Sequence, residues 1–595
     1  MEIAMMRALA LILVCLSSAT AQRYAKLAPF DGLRWNGDEP EVMVDKTWYR
    51  LVAIDGTKQT EILAFCKKTW RGRWQKRFSE DLVEVLSRMG HPPGKTVDLG
   101  VRELSGGGKK TLRGVAMTEA RRKELWAANQ REEGRSQGLG PPRSLTRAQV
   151  EKDVERLAWR VEHAYSYRDL LGVDWRGELA ALRLKLVGAR ADPHAPVEVM
   201  KFLARFGDGH TRVGGSARIL PPGFLPVLLA PLGDRVVALR PGGGGPAVPG
   251  NPYVKSIDGV PVDRWIGGAM SIVPVGHAEF MRRVATERAH FVAFVRAELN
   301  LQVKDASRVS IELTDASGTK SVKMSRPLAG RPPIARPSST PAQRVLEGSV
   351  GYIQIPSMAS GESFRRWLHR SMGAVKDTAG LVIDVRGNGG GSREALRVLL
   401  PYFMAKNDPP HVANVGAYRL GEGDDPVDPE GFLDNRYLWP AGHVGWSDAA
   451  RGAIAKVAAT FKPDWKLPAG CFSAWHYMVL ERTPDTAFHY DRPLIILLDT
   501  GCFSATDIFL GGFSGHRNVT LLGTRSGGGS GRSRSEALPN SGLTVRMSTM
   551  ASFRPNGQRY DGKGIAPDVE MGPIISDLLG STDSVLDAAV KRLSR

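Results

Sequence analysis

The sequence predicts a multidomain α/β protein whose main core is a largely parallel sheet, and three observations carry that expectation. At 595 residues the chain is too long for one hydrophobic core. In its C-terminal part the apolar runs Leu381–Val385, Leu494–Leu498 and Val519–Leu522 alternate with helical stretches, the pattern of strands covered on both faces. Upstream, a helix-periodic segment gives way to short strands with Gly/Pro turns, so differently built domains precede the core. The hydrophobic and charged fractions, 42% and 24%, are those of a soluble globular protein.

Residues 1–21 read as a secretory signal. Arg7 precedes the apolar run Ala8–Leu16, and Ala19-Thr20-Ala21 forms a cleavage site before Gln22. The run is too short to span a bilayer, which disfavours an uncleaved anchor. Bulky Leu13 and Val14 before Cys15 disfavour lipidation there. No later stretch is long and apolar enough to be transmembrane, so an exported protein, periplasmic or extracellular, is expected.

Residues 22–130 form an N-terminal α+β domain of unknown role. Trp48 to Gly56 suits a strand and tight turn, and Thr60 to Met89 a helix in two pieces. Tyr253 to Gly259 echoes the first of these, a single short echo of a repeat. Gly and Pro between Gly134 and Pro142 mark a linker, placed at 131–145. Val150, Val154, Leu157, Val161 and Ala164 then recur at spacings of three and four, which opens a helical region over 146–217. Short strands fill 218–325 and end in a hairpin of Val309–Leu313 with Lys320–Met324. A proline-rich second linker covers 326–343. The α/β core, 344–595, opens on the strand from Val350 to Ile355. It carries a long polar insertion at about 411–490, which is a lid, a substrate wall or a surface embellishment.

The net charge of +19 favours anionic partners or surfaces. The densest basic run, Cys66 to Phe78, interleaves Lys and Arg with Trp70 and Trp74. Such a run can stack on a nucleic acid, or be a solvated basic face with its Trp anchored in the core. In an exported chain the second is favoured and no nucleic-acid partner is expected; an anionic envelope surface stands between the two. Signal cleavage leaves Cys66, Cys471 and Cys502, so at most one internal disulfide forms, with Cys471 and Cys502 the better pair. No C-x-x-C motif or His/Cys cluster suggests a metal, and no cofactor is expected.

Ser504 follows the strand Leu494–Leu498 and stands at the mouth of a helix, among unpaired backbone N–H groups at the positive end of the helix dipole. That setting stabilises an oxyanion, as acyl transfer by a serine requires. A helix N-cap is the plainer role for the same serine. Asp208-Gly209-His210-Thr211 offers a base. Leu381 to Ser392 ends in the Gly-rich turn Gly387-Asn388-Gly389-Gly390-Gly391, and Tyr560-Asp561-Gly562 offers a carboxylate before Gly564-Ile565-Ala566-Pro567-Asp568.

Those four segments, in that order, resemble the tricorn-core and carboxyl-terminal-processing serine peptidases, whose fold the interphotoreceptor retinoid-binding repeats share. The resemblance runs from about Leu145 to the C-terminus. It implies a ClpP/crotonase-like α/β core, with a helical subdomain at 146–217 and a PDZ-like β insert at 218–325. It also implies Ser504 as nucleophile, His210 as general base and Asp561 as orienting carboxylate. The oxyanion hole then falls to backbone N–H groups of Ala505 and of Gly389 or Gly390. Asp384 and Asn388 brace the turn. Carboxyl-terminal-processing members carry a lysine base 25 residues after the serine. Here Gly529 stands there and no lysine lies between, so the His-based branch is favoured. The family often has a serine before the histidine, where this chain has Gly209, and a glutamate where it has Asp561. The expected function is an exported serine endopeptidase acting on peptides or unfolded proteins. The alternative is a catalytically silent ligand- or peptide-binding protein of the same fold.

Overall fold

The computed structural model describes residues 24–36, 39–70, 74–104, 108–126, 145–188, 195–214, 219–333, 340–421 and 433–594. The signal segment 1–21 and nearly all of the linker at 131–145 lie outside the described residues. The chain divides into two compact units, Met1–Gly138 and Leu139–Arg595.

In the first unit three antiparallel strands, β1 (Gly32–Asn36), β2 (Glu39–Val44) and β3 (Thr47–Ile54), lead through the short β4 (Thr57–Lys58) into helices α1 (Gln59–Trp70), α2 (Trp74–Glu80) and α3 (Leu82–Arg88). Strands β5 (Thr96–Glu103) and β6 (Lys109–Ala116) close the sheet in the order β1-β2-β3-β5-β6. The helical stretch thus comes in three described pieces, not two. It breaks at Asp81, whose carboxylate is drawn to Lys26 at 2.5 Å and Arg77 at 2.8 Å. Trp70 and Trp74 lie half-buried against the unit's core, with Lys67 over the Trp74 ring and Arg77 over Trp70. The aromatic side of the basic run is thereby spent on packing.

The second unit begins with helices α4 (Arg147–His163), α5 (Trp175–Gly188) and α6 (Ala195–Ala204). Thr146 starts α4 with a capping box closed by Gln149. The two-residue β7 (Arg212–Val213) follows. The insert then runs β8 (Leu228–Leu232), β9 (Arg235–Leu239), β10 (Tyr253–Ile257), β11 (Val260–Pro261), α7 (Val262–Gly267), α8 (Ala278–Arg288), α9 (Val292–Glu298), β12 (Arg308–Thr314) and β13 (Ser321–Pro327). Helical region and insert bury one continuous apolar cluster, from Val154 and Leu157 to Ile311 and Leu313.

The insert repeats the topology of the first unit. Its order is β8-β9-β10-β12-β13, with β11 on β10 as β4 is on β3. The bulge falls at the same place, between Val254 and Ser256 as between Leu51 and Ala53. Each third strand ends in an Asp-Gly turn with both residues at positive φ, 46° and 82° at Asp55-Gly56, 50° and 78° at Asp258-Gly259. The Asp carboxylate then accepts a backbone N–H across the sheet, Asp98 to Asp55 at 2.7 Å and Ser310 to Asp258 at 2.9 Å. What differs is the outward face. In the insert it holds Leu228, Ala230, Val237, Leu239 and Tyr253, packed on Ile575, Leu578 and Leu579. The same positions in the first sheet are Gly32, Arg34, Glu41, Met43 and Arg50, where Arg34 pairs with Glu41.

The α/β core segment adds β14 (Ala342–Leu346), β15 (Val350–Gln354), α10 (Glu362–Ala374), β16 (Gly380–Asp384), α11 (Glu394–Leu399), β17 (His411–Tyr418), β18 (Trp439–Pro440), α12 (Asp448–Thr460), β19 (His476–Leu480), β20 (Leu494–Leu498), α13 (Ala505–Phe513), β21 (Val519–Gly523), β22 (Ser533–Ala537), β23 (Thr544–Ser548), β24 (Met550–Phe553), β25 (Val569–Glu570), α14 (Ile575–Leu578) and α15 (Ser584–Leu593). The main sheet is β14-β15-β16-β20-β21-β25, parallel except for β14. The fold class is therefore multidomain α/β, as the alternating apolar runs imply.

Three expectations change. Both ends of the stretch at 326–343 are strands: Arg326 and Pro327 pair with Val309 and Arg308, and β14 starts at Ala342. A proline at a strand's end loses no ladder bond. The insertion at 411–490 supplies three strands of a four-stranded sheet, β18-β19-β17-β24, whose fourth, β24, comes from after β23, with 422–432 outside the described residues. No disulfide joins Cys471 to Cys502, because Cys502 is buried with its Sγ on the Val385 carbonyl at 3.0 Å.

Separate cores make a local change local. Phe78→Ala, in the core of the first unit, should cost about 3–5 kcal/mol. Calorimetry should show one of two transitions lowered and the other in place.

Candidate active site

Ser504 sits at the N-cap position of α13, yet its side chain makes no capping bond. Its Oγ lies 3.1 Å from His210 Nε2 instead. The backbone there is at φ 63° and ψ −118°, a sparsely populated region for a residue with a Cβ. The surroundings hold that strain. Asn388, fully buried, donates from Nδ2 to Ile355 O at 2.8 Å and accepts at Oδ1 from Gly390 N and Thr506 Oγ1, each at 2.9 Å. Its own carbonyl accepts Phe503 N at 3.0 Å. One amide thus joins the ends of β15 and β16 to the turn that presents Ser504.

The same bonds sort the oxyanion donors. Gly390's N–H is spent on Asn388, so of the three expected oxyanion donors Gly389 and Ala505 remain the candidates. Gly390 serves by having no side chain: a Cβ would lie 2.6 Å from Ser504 Cβ. Asp384 braces the turn, accepting from Tyr352 at 3.0 Å and from Arg386, which also grips Asp583 at the start of α15.

Asp208 shapes the histidine turn, accepting His210 N at 2.9 Å and Thr211 Oγ1 at 2.6 Å. His210 Nδ1 is buried without a hydrogen-bond partner, 3.9 Å from Asp208 Oδ1. Asp561 makes no direct bond to the ring in the structure. It accepts from Tyr167 Oη at 2.5 Å, Ser530 Oγ at 2.7 Å and Ser530 N at 3.1 Å. One ligand atom from each of Asp208, His210 and Asp561 falls within 4.8 Å of the others. Donors already meet every oxygen of both carboxylates, the pattern of a hydrogen-bonded acid pair beside an imidazole rather than of a metal cradle.

Burial dominates the electrostatics. It holds His210 down to about 3, with Arg546, Arg212 and Arg436 adding to the effect. It pushes Asp561 up to about 7, helped by the charge of Asp208, and raises Asp208 as well. Asp507, one helical turn after Ser504, is also pushed by burial up to about 7. Asp507 accepts from Ser526 Oγ at 2.5 Å and Gly529 N at 2.9 Å, and so fixes the loop that carries Ser530 to Asp561.

Phe503 fills the space beside two glycines. Its ring lies 4.7 Å from that of His210 and stacks on Phe280 at 6.0 Å. A Cβ on Gly209 would fall 2.7 Å from this ring, and one on Gly529 2.2 Å. The ring therefore occupies the space that a side chain at either position would need. Sequence reasoning passed over Phe503, Asp507 and Ser530. The one signal was the coincidence of three glycines, 527–529, with an aromatic beside the serine.

Residues 349–571 match the model of peptidase family S41. A carboxy-terminal-processing protease of Bartonella bacilliformis is 33% identical over 79 residues, 13% of this chain and 18% of that protein, so the match spans about a fifth of the relative's length. Among solved structures, mature CPAF aligns with a TM-score of 0.52 at 17% identity, covering 75% of this chain and 98% of that one. Mature CPAF complexed with lactacystin gives 0.51 at 16% identity, covering 75% and 99%. These two likenesses are of fold.

The ring's tight seat sets an expectation. Gly529→Ala should destabilise by about 1–3 kcal/mol through overpacking. Pairing it with Phe503→Ala should recover part of that loss, read as a coupling energy in denaturant titrations.

Proposed function

We propose that this chain, which carries a peptidase family S41 domain at residues 349–571, is an exported serine endopeptidase acting on peptides or unfolded proteins. The observation that carries the reading is the Ser504 hydroxyl, turned from its helix cap to a neutral, buried imidazole at 3.1 Å. Export rests on the charged start, the apolar run and the Ala19-x-Ala21 site.

In this reading His210 Nε2 removes the Ser504 proton as Oγ attacks the scissile carbonyl. The carbonyl oxygen, now an anion, is met by the N–H groups of Gly389 and Ala505 and by the dipole of α13. The proton passes from Nε2 to the leaving amine, and water repeats the sequence on the acyl-enzyme. Burial makes the imidazolium costly, and the negative charge shared by Asp208 and Asp561 beside Nδ1 offsets that cost.

Ser504→Ala should lower turnover of an unfolded protein on the order of 10⁴–10⁶-fold. A fluorophosphonate should label the wild type at Ser504 and leave that variant unlabelled. Labelling elsewhere, or none, defeats the assignment.

The pH profile separates base from carboxylate. His210, held near 3, stays neutral in mild acid, whereas Asp561 takes up a proton as pH falls through about 7. Protonation removes the charge that stabilises the imidazolium, so activity should fall below about pH 7. Asp561→Asn should lower turnover by up to about 10⁴-fold and flatten that acid limb. An unchanged limb would assign it to another group.

A further inference from the structure

The start of α8 reaches the loop that serves the carboxylate of the site. His277, which stands just before α8, has 14% of its side chain exposed. Its Nε2 lies 2.8 Å from the carbonyl oxygen of Ser526. A carbonyl only accepts, so Nε2 carries the proton and donates. Nδ1 keeps its lone pair and accepts the N–H of Phe280 at 3.4 Å, which caps the helix. Glu279 Oε2 stands 3.2 Å from the same Nδ1, and Arg525 of the loop stands 4.0 Å from that carboxylate. A second proton on the ring would move Nδ1 from the cap to Glu279 and leave Nε2 on Ser526. The hold on Ser526 therefore survives titration of the ring.

Ser526 is bonded at every polar group. Its N–H donates to Ile565 O at 3.0 Å, and its carbonyl takes His277. Its Oγ donates to Asp507 at 2.5 Å and accepts Ile565 N at 2.7 Å. The next residues are tied as closely. Gly527 N–H donates to Cys502 O at 2.7 Å, on the turn before the nucleophile, and Gly562 N–H, next to Asp561, donates to Gly528 O at 3.0 Å. Ser530 ends the loop with two donors to Asp561, beside the one from Tyr167. The same end of α8 also touches the nucleophile turn, because Phe280 stacks on Phe503 at 6.0 Å. The insert thus grips the site from one helical turn, and His277 is the polar half of the grip.

We propose that His277 is a positioning residue of the reaction: from the insert it fixes the loop 526–530, and so the Ser530 donors that hold Asp561 charged and in place beside His210. The inference rests on the peptidase reading above. The groups that face Asp561 are Asp208, Tyr167, Ser530 and the His210 ring, with Asp507 adding its charge from α13. Of its two donor side chains, Tyr167 and Ser530, the second rides on the loop that His277 holds. A carboxylate that loses donors takes up its proton at higher pH.

Two variants separate the hold from the cap. Asparagine is a good N-cap whose oxygen replaces Nδ1, but its amide is too short to reach Ser526. Glutamine places its amide where Nε2 stood and caps poorly. His277→Asn should lower kcat roughly tenfold or more and leave KM within about twofold. It should also move the acid limb of the pH profile up by roughly half a unit or more. His277→Gln should keep the wild-type kcat and limb. Adding His277→Asn to Ser530→Ala should change little further, because the two act through one contact. Thermal unfolding shows which variants fold. A folded His277→Asn with wild-type kcat and limb overturns the proposal. So does a fall in kcat with the limb in place, the mark of a purely structural loss. A His277→Asn chain that does not fold, or a His277→Gln that matches it in loss, assigns the residue to stability and overturns the proposal too. A wild type that neither cuts peptides nor takes the fluorophosphonate overturns the peptidase reading, and this proposal with it.

Discussion

The site depends on a buried amide. Asn388 ties the carbonyl end of β15, the glycine turn after β16 and the strained turn before α13 into one hydrogen-bonded unit. Each partner is a loop end that would otherwise solvate separately. Joined, they hold Ser504 at a positive φ that no local preference supports, and they aim the backbone N–H groups that flank it. The parallel sheet supplies the platform, because every strand that matters ends on the same edge.

What was readable in the sequence follows from how local each signal is. Buried parallel strands are continuous apolar runs, so Leu381–Val385 and Leu494–Leu498 stood out at once. The helix from Thr146 carried both its period and its cap. The proximity of Ser504 to His210, 294 residues away, was not local at all. It came only from the order of four short motifs and what they resemble.

What was not readable was packing. Nothing in Gly209 or Gly529 says that one aromatic ring fills the space beside both. Nor does Asp561 announce that Tyr167 and Ser530 will claim its oxygens ahead of the histidine. The disulfide expectation failed on the same ground, since nearness in motif order does not bring two sulfurs within bonding reach.

The two sheets of like topology share a small set of contacts. Their shared parts are those in which a side chain speaks to backbone: the bulge, the Asp-Gly turn, and the carboxylates of Asp55 and Asp258 that each pin a neighbouring strand. Their outward residues differ almost completely, one set apolar against a helix, the other carrying the Arg34–Glu41 pair and Arg50. The topology therefore rests on the few residues that fold the chain upon itself, while the outward face follows what each sheet touches. A search for further copies does best to look for the turn and its cross-strand carboxylate and to ignore the face.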